Sequence, residues 1–335
     1  TLLWRRIVEP IEPFLDAVAQ VLAEQVETFE PEIIPYARYA LTNQGKQLRP
    51  ALVALSTAAV DPLSDPKRRD VVKAATVIEM VHLATLVHDD VMDEASVRRR
   101  RPTLAVNWGN QISVLLGDCL FAHALKLAAS FPSTEVCRAV SEATKTVCSG
   151  EILQNHRQGQ YDLDREEYFR ILRMKTAELF ALSCDLGAWL GRATPAGRAA
   201  LRHFGLEFGM AYQIYDDCMD IFGSEARAGK SLGKDLASGK MTLPLLVAWE
   251  RVTPRAAAQL RERLDHWGAE PAAGLLDMPY QLDALEASRR IIHQYLESAQ
   301  QALRQLPESR SRRALVDLTS FLVCQTDALG TGQPS

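Results

Sequence analysis

Residues 71–94 read VVKAATVIEMVHLATLVHDDVMDE, and this stretch decides the fold. Up to Val87 it is apolar on nearly every side of a helical turn: Val71, Val72, Ala74, Val77, Ile78, Val81, Leu83, Leu86, Val87. A helix apolar all round is a buried helix. It then runs into acids, and Asp89, Asp90 and Asp93 fall within five residues. Like charges this close repel unless a positive charge sits among them. The pattern therefore predicts a buried helix over about 67–93 that delivers a carboxylate cluster in need of a cation.

A second stretch repeats the design. A helix over about 197–222 ends AYQIYDDCMDIFG and brings Asp216, Asp217 and Asp220 to its C-terminal end. Elsewhere Ala, Leu, Glu, Arg and Gln are abundant, and alternating β-branched runs are absent. Turn signals interrupt the helical pattern: DPLSDPK (61–67), FPST (131–134), ATPAG (193–197), GSEARAGKSLGKDLASGK (223–240) and WGAEPAAGLLDMPY (267–280). In the first three a capping residue precedes a helix with proline at its start. None is long or biased enough for a domain linker. The expectation is an all-α chain, a single domain over 1–335, built as a bundle of roughly a dozen helices around a central cavity.

Composition removes several function classes. The chain has 335 residues, 47% apolar and 24% charged, with a net charge of −4. Nothing there suggests a nucleic-acid footprint. Cys119, Cys137, Cys148, Cys184, Cys218 and Cys324 form no CxxC pair and no metal-finger spacing. They fit free thiols in a reducing cytoplasm. No uninterrupted apolar run reaches the roughly 18–20 residues of a membrane span. No signal-peptide pattern opens the sequence, which starts at Thr1.

The two DDxxD motifs carry the chemistry. Their first and last acids are i, i+4 and share one helix face. All-oxygen ligation suits Mg²⁺, held by one or two carboxylates, waters and substrate phosphates. One such motif reads equally well as a solvated acidic helix end; two, each after a buried helix, do not. Basic segments accompany them: GKQLRP (45–50), SVRRRRPT (96–103), RMKTAELF (173–180), GKSLGKD (229–235) and GK (239–240). Lysine and arginine are what phosphate recognition uses, although an arginine run alone is more often a solvated face. No Walker pattern is present: EARAGKS (225–231) lacks the earlier glycine. Metal-clamped anions between apolar helix walls describe a diphosphate with a hydrocarbon tail.

These residues resemble the trans-isoprenyl diphosphate synthases, closest to the medium- and long-chain polyprenyl type. The resemblance runs through GKQLRP, EMVHLATLVHDDVMDE, GDCLFAHAL, GEILQ, MKTAELF, YQIYDDCMDIFG and GKSLGKDLASGKMTLPLL, in that order. It implies an all-helical isoprenoid synthase fold, a homodimer, Mg²⁺ (three ions with substrate bound), and condensation of isopentenyl diphosphate with an allylic prenyl diphosphate. Carried over by position, Asp89, Asp93 and Asp216 are the metal ligands, and Asp90, Asp217 and Asp220 hold waters or neighbours. Arg98, Lys175, Lys230 and Lys240 are allylic diphosphate ligands, with Asp235 a supporting acid. Gly45, Lys46, Arg49, His82 and Arg99 form the isopentenyl diphosphate site, and Thr176 and Gln213 face the developing cation. His82 also lies seven residues before Asp89, two turns down the same face; His88 is off that face and reads as structural.

Two departures stand out. Arg100 occupies a position where the family pattern after the first motif has glycine, a difficulty if φ must be positive there. The C-terminal LVCQTDALGTGQPS lacks the basic ending of many relatives. Rival readings are a class I terpene cyclase, an inactive regulatory subunit of a heteromeric synthase, and a plain helical scaffold. For product length, Ala84 and Thr85 are small where short-chain relatives carry aromatic rings. Val81 and Ile78 below them are expected to line a longer tunnel, giving products beyond twenty carbons.

Overall fold

The computed structural model describes residues 2–42, 45–61, 65–223, 233, 235, 238–253, 255 and 283–330. Lys230 and the loop at 267–280 lie outside them. In chain order the helices are α1 (Leu2–Val8), α2 (Glu12–Val26), α3 (Ile34–Thr42), α4 (Leu48–Val60), α5 (Asp65–Met92), α6 (Leu104–Trp108), α7 (Asn110–Ala129), α8 (Thr134–Arg157), α9 (Arg165–Leu172), α10 (Glu178–Leu190), α11 (Pro195–Phe222), α12 (Leu243–Arg251), α13 (Ala284–Leu303) and α14 (Arg310–Asp327). A π-helical turn, Arg173–Ala177, joins α9 to α10. The all-α expectation holds, apart from a two-strand hairpin of β1 (Val97–Arg98) and β2 (Arg101–Pro102).

The two acid-tipped helices are the two long ones through the core. On α5, Val71, Ala74, Val77, Ile78, Val81 and Ala84 are fully buried, as the unbroken apolar pattern requires. α5 packs on α7, α4 and α2, and α11 packs on α10 and α13. The α10–α11 crossing is close because α11 presents glycine there. A Cβ on Gly205 would sit 2.5 Å from the Phe180 carbonyl oxygen, and one on Gly209 2.7 Å from Ala177 Cα. Thr194 caps α11 through the Gly197 N–H with Pro195 at the first position, as read from ATPAG. In FPST the cap is Ser133, so Pro132 precedes the helix rather than opening it.

Among the described residues two helices meet the length and mean hydropathy of a membrane span, although neither is an uninterrupted apolar run, because interspersed polar residues lower the mean only slightly. Most of α5's apolar window is buried within the bundle, whereas α7 buries about a third of its own.

Candidate active site

The C-terminal ends of α5 and α11 face one cavity of about 680 Å³. Asp89 lines it from α5, Asp93 from the turn just past its end, and Asp216 and Asp217 from α11. Arg49, His82, Arg98, Arg99, Lys175, Thr176, Gln213, Asp235 and Lys240 line it too, so most of the residues named from sequence converge. Leu86, Val114, Phe121, Val147, Ile171 and Leu179 give the same cavity an apolar wall.

Each acid has its own electrostatic setting. Asp90 is buried and accepts from Arg98 Nε at 2.6 Å. Asp93 pairs with Lys240 Nζ at 2.7 Å. Asp217 is buried and doubly held, by Tyr168 Oη at 2.5 Å and Gln213 Nε2 at 2.9 Å. Asp220 faces away from the cavity and accepts the Asp235 backbone N–H at 3.1 Å, while its carbonyl takes the Gly233 N–H. Burial pushes the Asp89 carboxyl up to about 7; Lys175 and Arg98 oppose this, Glu151 and Asp93 add to it. Burial and then Asp235 push Asp217 up to about 8, against its hydrogen bonds. Burial that pushes two of these carboxyls upward marks a donor set short of positive charge.

That donor set fits a divalent cation of the Mg²⁺ type. Among the described residues no three His, Cys, Asp or Glu side chains form a closed cage. Carboxylates from two helix ends across an open cavity instead leave positions for phosphate oxygens, which is how Mg²⁺ is ordinarily held.

The cations divide into two groups. Lys175 sits in the π-helical turn, and its Nζ meets Glu151 Oε2 at 2.6 Å. Burial lowers its pKa, but Asp89 and Glu151 outweigh burial and the net shift is upward. Thr176, in the same turn, donates to Gln213 Oε1 at 2.9 Å. On the other side, Arg49 lies 4.6 Å from the centre of the Phe180 ring, and its buried Nε has no hydrogen-bond partner. Arg99 stacks on Gly45, where a Cβ would fall 2.6 Å from its Nη2. Lys46 departs from expectation: its Nζ rests near the Trp4 and Phe321 rings, and it does not line the cavity. His82 is held neutral, its pKa far below the usual value through burial and then through Arg49, Arg99 and Arg98.

On α5 the cavity wall is His82, Thr85, Leu86, His88, Asp89, Val91 and Met92. Ala84, Val81 and Ile78 are sealed in the core and do not line it. Of the side chains expected along the path down α5 only Thr85 reaches the wall, because one residue turns a helix by about 100° and puts Ala84 on another face. His88, read as off that face, does reach the cavity wall, and its Nε2 lies 3.0 Å from the Val114 carbonyl oxygen and 3.5 Å from Asp118.

Sequence reading missed Glu79, Glu151 and Tyr168. Glu79 is buried near Arg49 and Arg99, and burial raises its pKa against their pull. All three are ordinary helix residues in the sequence; their signal was that Glu79 opens EMVHLATLVHDDVMDE, Glu151 lies in GEILQ and Tyr168 shortly precedes MKTAELF.

An all-helical bundle with two carboxylate clusters, two cationic groups and an apolar wall on one cavity defines an enzyme that handles prenyl diphosphates. The polyprenyl synthetase family model matches residues 30–273, and the chain belongs to that family. It is 34% identical to an all-trans-nonaprenyl-diphosphate synthase (geranyl-diphosphate specific) of Rhodobacter capsulatus, over 93% of this chain and 95% of that one. It is 33% identical to heptaprenyl diphosphate synthase component 2 of Bacillus subtilis, covering 92% and 87%. The structure of a Caulobacter crescentus polyprenyl synthase complexed with calcium and isoprenyl diphosphate superposes with a TM-score of 0.89 at 32% identity, covering 96% and 97%. The chain is a prenyltransferase of the polyprenyl diphosphate synthase type.

Proposed function

We propose that this chain condenses isopentenyl diphosphate with an allylic prenyl diphosphate, in a Mg²⁺-dependent reaction, to give an all-trans product beyond twenty carbons. The observation that carries this is the pair of carboxylate clusters facing one cavity that also holds two separate groups of cations. A terpene cyclase binds one diphosphate and leaves Arg49 and Arg99 without a task. An inactive subunit does not need both motifs intact.

Asp89, Asp93 and Asp216 are the carboxylates for the metal, which when bound supplies Lewis-acid neutralisation of diphosphate charge. Arg98, Lys175 and Lys240 bind the allylic diphosphate, with Lys230 joining them from outside the described residues. Its C1–O bond breaks and the electron pair leaves with the diphosphate, whose growing charge these cations stabilise. Thr176 and Gln213 present oxygen atoms toward the allylic cation. Arg49, Arg99 and His82 orient isopentenyl diphosphate, whose double bond attacks C1; Gly45 lets Arg99 lie flat. The proton then lost goes to an oxygen of the released diphosphate. We read residues 1–335 as one domain, working as a homodimer in the cytoplasm.

The test is incubation of purified protein with isopentenyl diphosphate, Mg²⁺ and each allylic primer, with products read by mass spectrometry. Asp89→Ala and Asp216→Ala should each cut single-turnover condensation by about 10²–10³-fold. Full turnover in excess chelator overturns the metal assignment.

A further inference from the structure

Tyr168, Asp217, Gln213 and Thr176 all line the cavity and form one chain of hydrogen bonds, whose donors can point only one way. Tyr168 Oη lies 2.5 Å from Asp217 Oδ2, and Gln213 Nε2 lies 2.9 Å from Asp217 Oδ1. Gln213 and Asp217 are i, i+4 on α11, so that helix alone holds the second contact. The Gln213 carbonyl oxygen, Oε1, lies 2.9 Å from Thr176 Oγ1. Direction follows from what each group can do. The phenol is buried, and burial and then Asp217 push its pKa well above the usual value, so it keeps its proton and donates. Asp217 accepts on both oxygens. The Gln213 amide must therefore turn its NH₂ toward Asp217, which leaves Oε1 for Thr176. Facing a carbonyl oxygen, the Thr176 hydroxyl donates its only proton there, and its lone pairs are left for the cavity.

A hydroxyl on a cavity wall ordinarily rotates to suit whatever is bound. Beside a forming carbocation that freedom is harmful, because a proton turned inward sets positive charge against positive charge. The chain removes the choice for Thr176 as long as its far end is fixed, and the far end is Tyr168. The Tyr168 ring stands on α9 edge-on to Phe169, with centroids 5.2 Å apart. Its Oη also receives the Leu243 backbone N–H at the start of α12. Tyr168 thus ties a carboxyl of α11 to two other elements. Without the phenol, Asp217 Oδ2 loses this donor in a buried place, and the carboxyl turns to find another, carrying Gln213 with it.

We propose that Tyr168 is a positioning residue for the ionisation of the allylic substrate: through Asp217 and Gln213 it fixes the Thr176 hydroxyl so that oxygen, not hydrogen, faces the allylic cation. This rests on the prenyl-transferring reading given above, in which Thr176 faces that cation. The effect belongs to the transition state, since a neutral prenyl tail is indifferent to which way the hydroxyl points. Loss of the phenol should lower kcat and leave KM.

The experiment compares the parent with Tyr168→Phe, Thr176→Val and the double variant, in single-turnover condensation with Mg²⁺ and in equilibrium binding of two unreactive probes. Tyr168→Phe keeps the ring and its packing and removes only the hydroxyl. Its single-turnover rate should fall by about 10–100-fold, the range for a hydrogen bond to a charged group, with KM for both diphosphates nearly unchanged. One probe is a prenyl trimethylammonium ion added with inorganic diphosphate; it puts fixed positive charge where the cation forms and has no N–H of its own. The other is the allylic diphosphate with sulfur in place of its bridging oxygen, whose tail carries no charge. Tyr168→Phe should weaken the first by about tenfold and bind the second as the parent does, a contrast that a general loosening of the site does not give. Because the phenol acts through Thr176, the double variant should be no slower than Thr176→Val alone. Equal losses for the two probes overturn the positioning role. So do a parental rate in Tyr168→Phe and a double variant whose loss is the product of the two single losses. A Thr176→Val enzyme that condenses at the parental rate overturns the cation-facing reading itself, and the proposal with it.

Discussion

Arg100 has φ of 62° and Arg99 of 51°, and together they form the whole loop between the paired residues Arg98 and Arg101. A two-residue hairpin loop with both φ values positive is the turn that suits the twist of its strands, and it favours glycine at the second position. The left-handed conformation costs a residue with a Cβ about 1–2 kcal/mol, against about 0.5–1 kcal/mol for the extra chain entropy that glycine loses. The first term is the larger, so Arg100→Gly should stabilise the protein by up to about 1 kcal/mol. A rise in thermal midpoint with kcat retained is the expected result, and KM for a diphosphate should change less than in Arg99→Ala. Arg99 tolerates the same strain because its guanidinium lies flat on Gly45 and faces the cavity. Gly45→Ala would push a methyl into that guanidinium, a flexible group that yields without unfolding anything. KM for isopentenyl diphosphate should rise several-fold with the melting temperature unmoved; a lower kcat at unchanged KM would show that Arg99 serves the other substrate.

The element that aims Lys175 and Thr176 is the π-helical turn between α9 and α10, a feature that recurs at functional sites. Its wider coil brings the backbone up against α8 at Gly150, where a Cβ would be 2.7 Å from Lys175 N and 2.8 Å from Met174 Cβ. Those are backbone and near-backbone atoms, so a methyl there must move an element rather than a side-chain tip. Gly150→Ala should therefore cost about 1–3 kcal/mol of stability and reduce kcat together with allylic affinity. Denaturant midpoints and steady-state kinetics check both, and wild-type values for the two would mean that α8 and the turn do not fix Lys175. This contact marks the limit of what the sequence discloses. Asp89 and Asp93 are legible because i, i+4 spacing puts the pair on one face, whereas on α11 it is Asp216 and Asp217 that line the cavity and Asp220 turns to the backbone of Gly233 and Asp235. The long helices are legible because an unbroken apolar pattern has one burial outcome. Glu151 under Lys175 and Tyr168 on Asp217 depend on how non-adjacent helices pack, and nothing local encodes that. Val81 and Ile78 lie off the cavity wall for the same reason: a helix seen alone shows its stripes but not which neighbour fills each one.

Across the whole molecule, the large apolar side chains exposed among the described residues are Met92, Val97, Val106, Trp108, Val114, Leu115 and Ile152. All fall between the end of α5 and the end of α8, and Val106, Leu115 and Ile152 are 57%, 54% and 69% exposed. Scattered exposed apolar residues need no cause, whereas their concentration around α7 is what an association surface would supply. Met92, Val114 and Ile152 also line the cavity, so whatever covers the patch also closes that edge of the site. In the homodimer reading, the covering surface is the same patch on a second copy, related by a two-fold axis. A stable contact needs about 800 Å² from each partner, and α7 with its flanking residues is the apolar surface available for it. Leu115→Glu would bury a carboxylate there without a partner, a cost of several kcal/mol falling on association and not on the monomer's core. Sedimentation should show a dimer for the parent and a monomer for Leu115→Glu with unchanged helix content. Condensation by that monomer should fall sharply, because its cavity edge is open to water. A parent that sediments as an inactive monomer and gains activity only with a different subunit would transfer the patch to a heteromeric partner. A fully active Leu115→Glu monomer would show that the cavity needs no second chain.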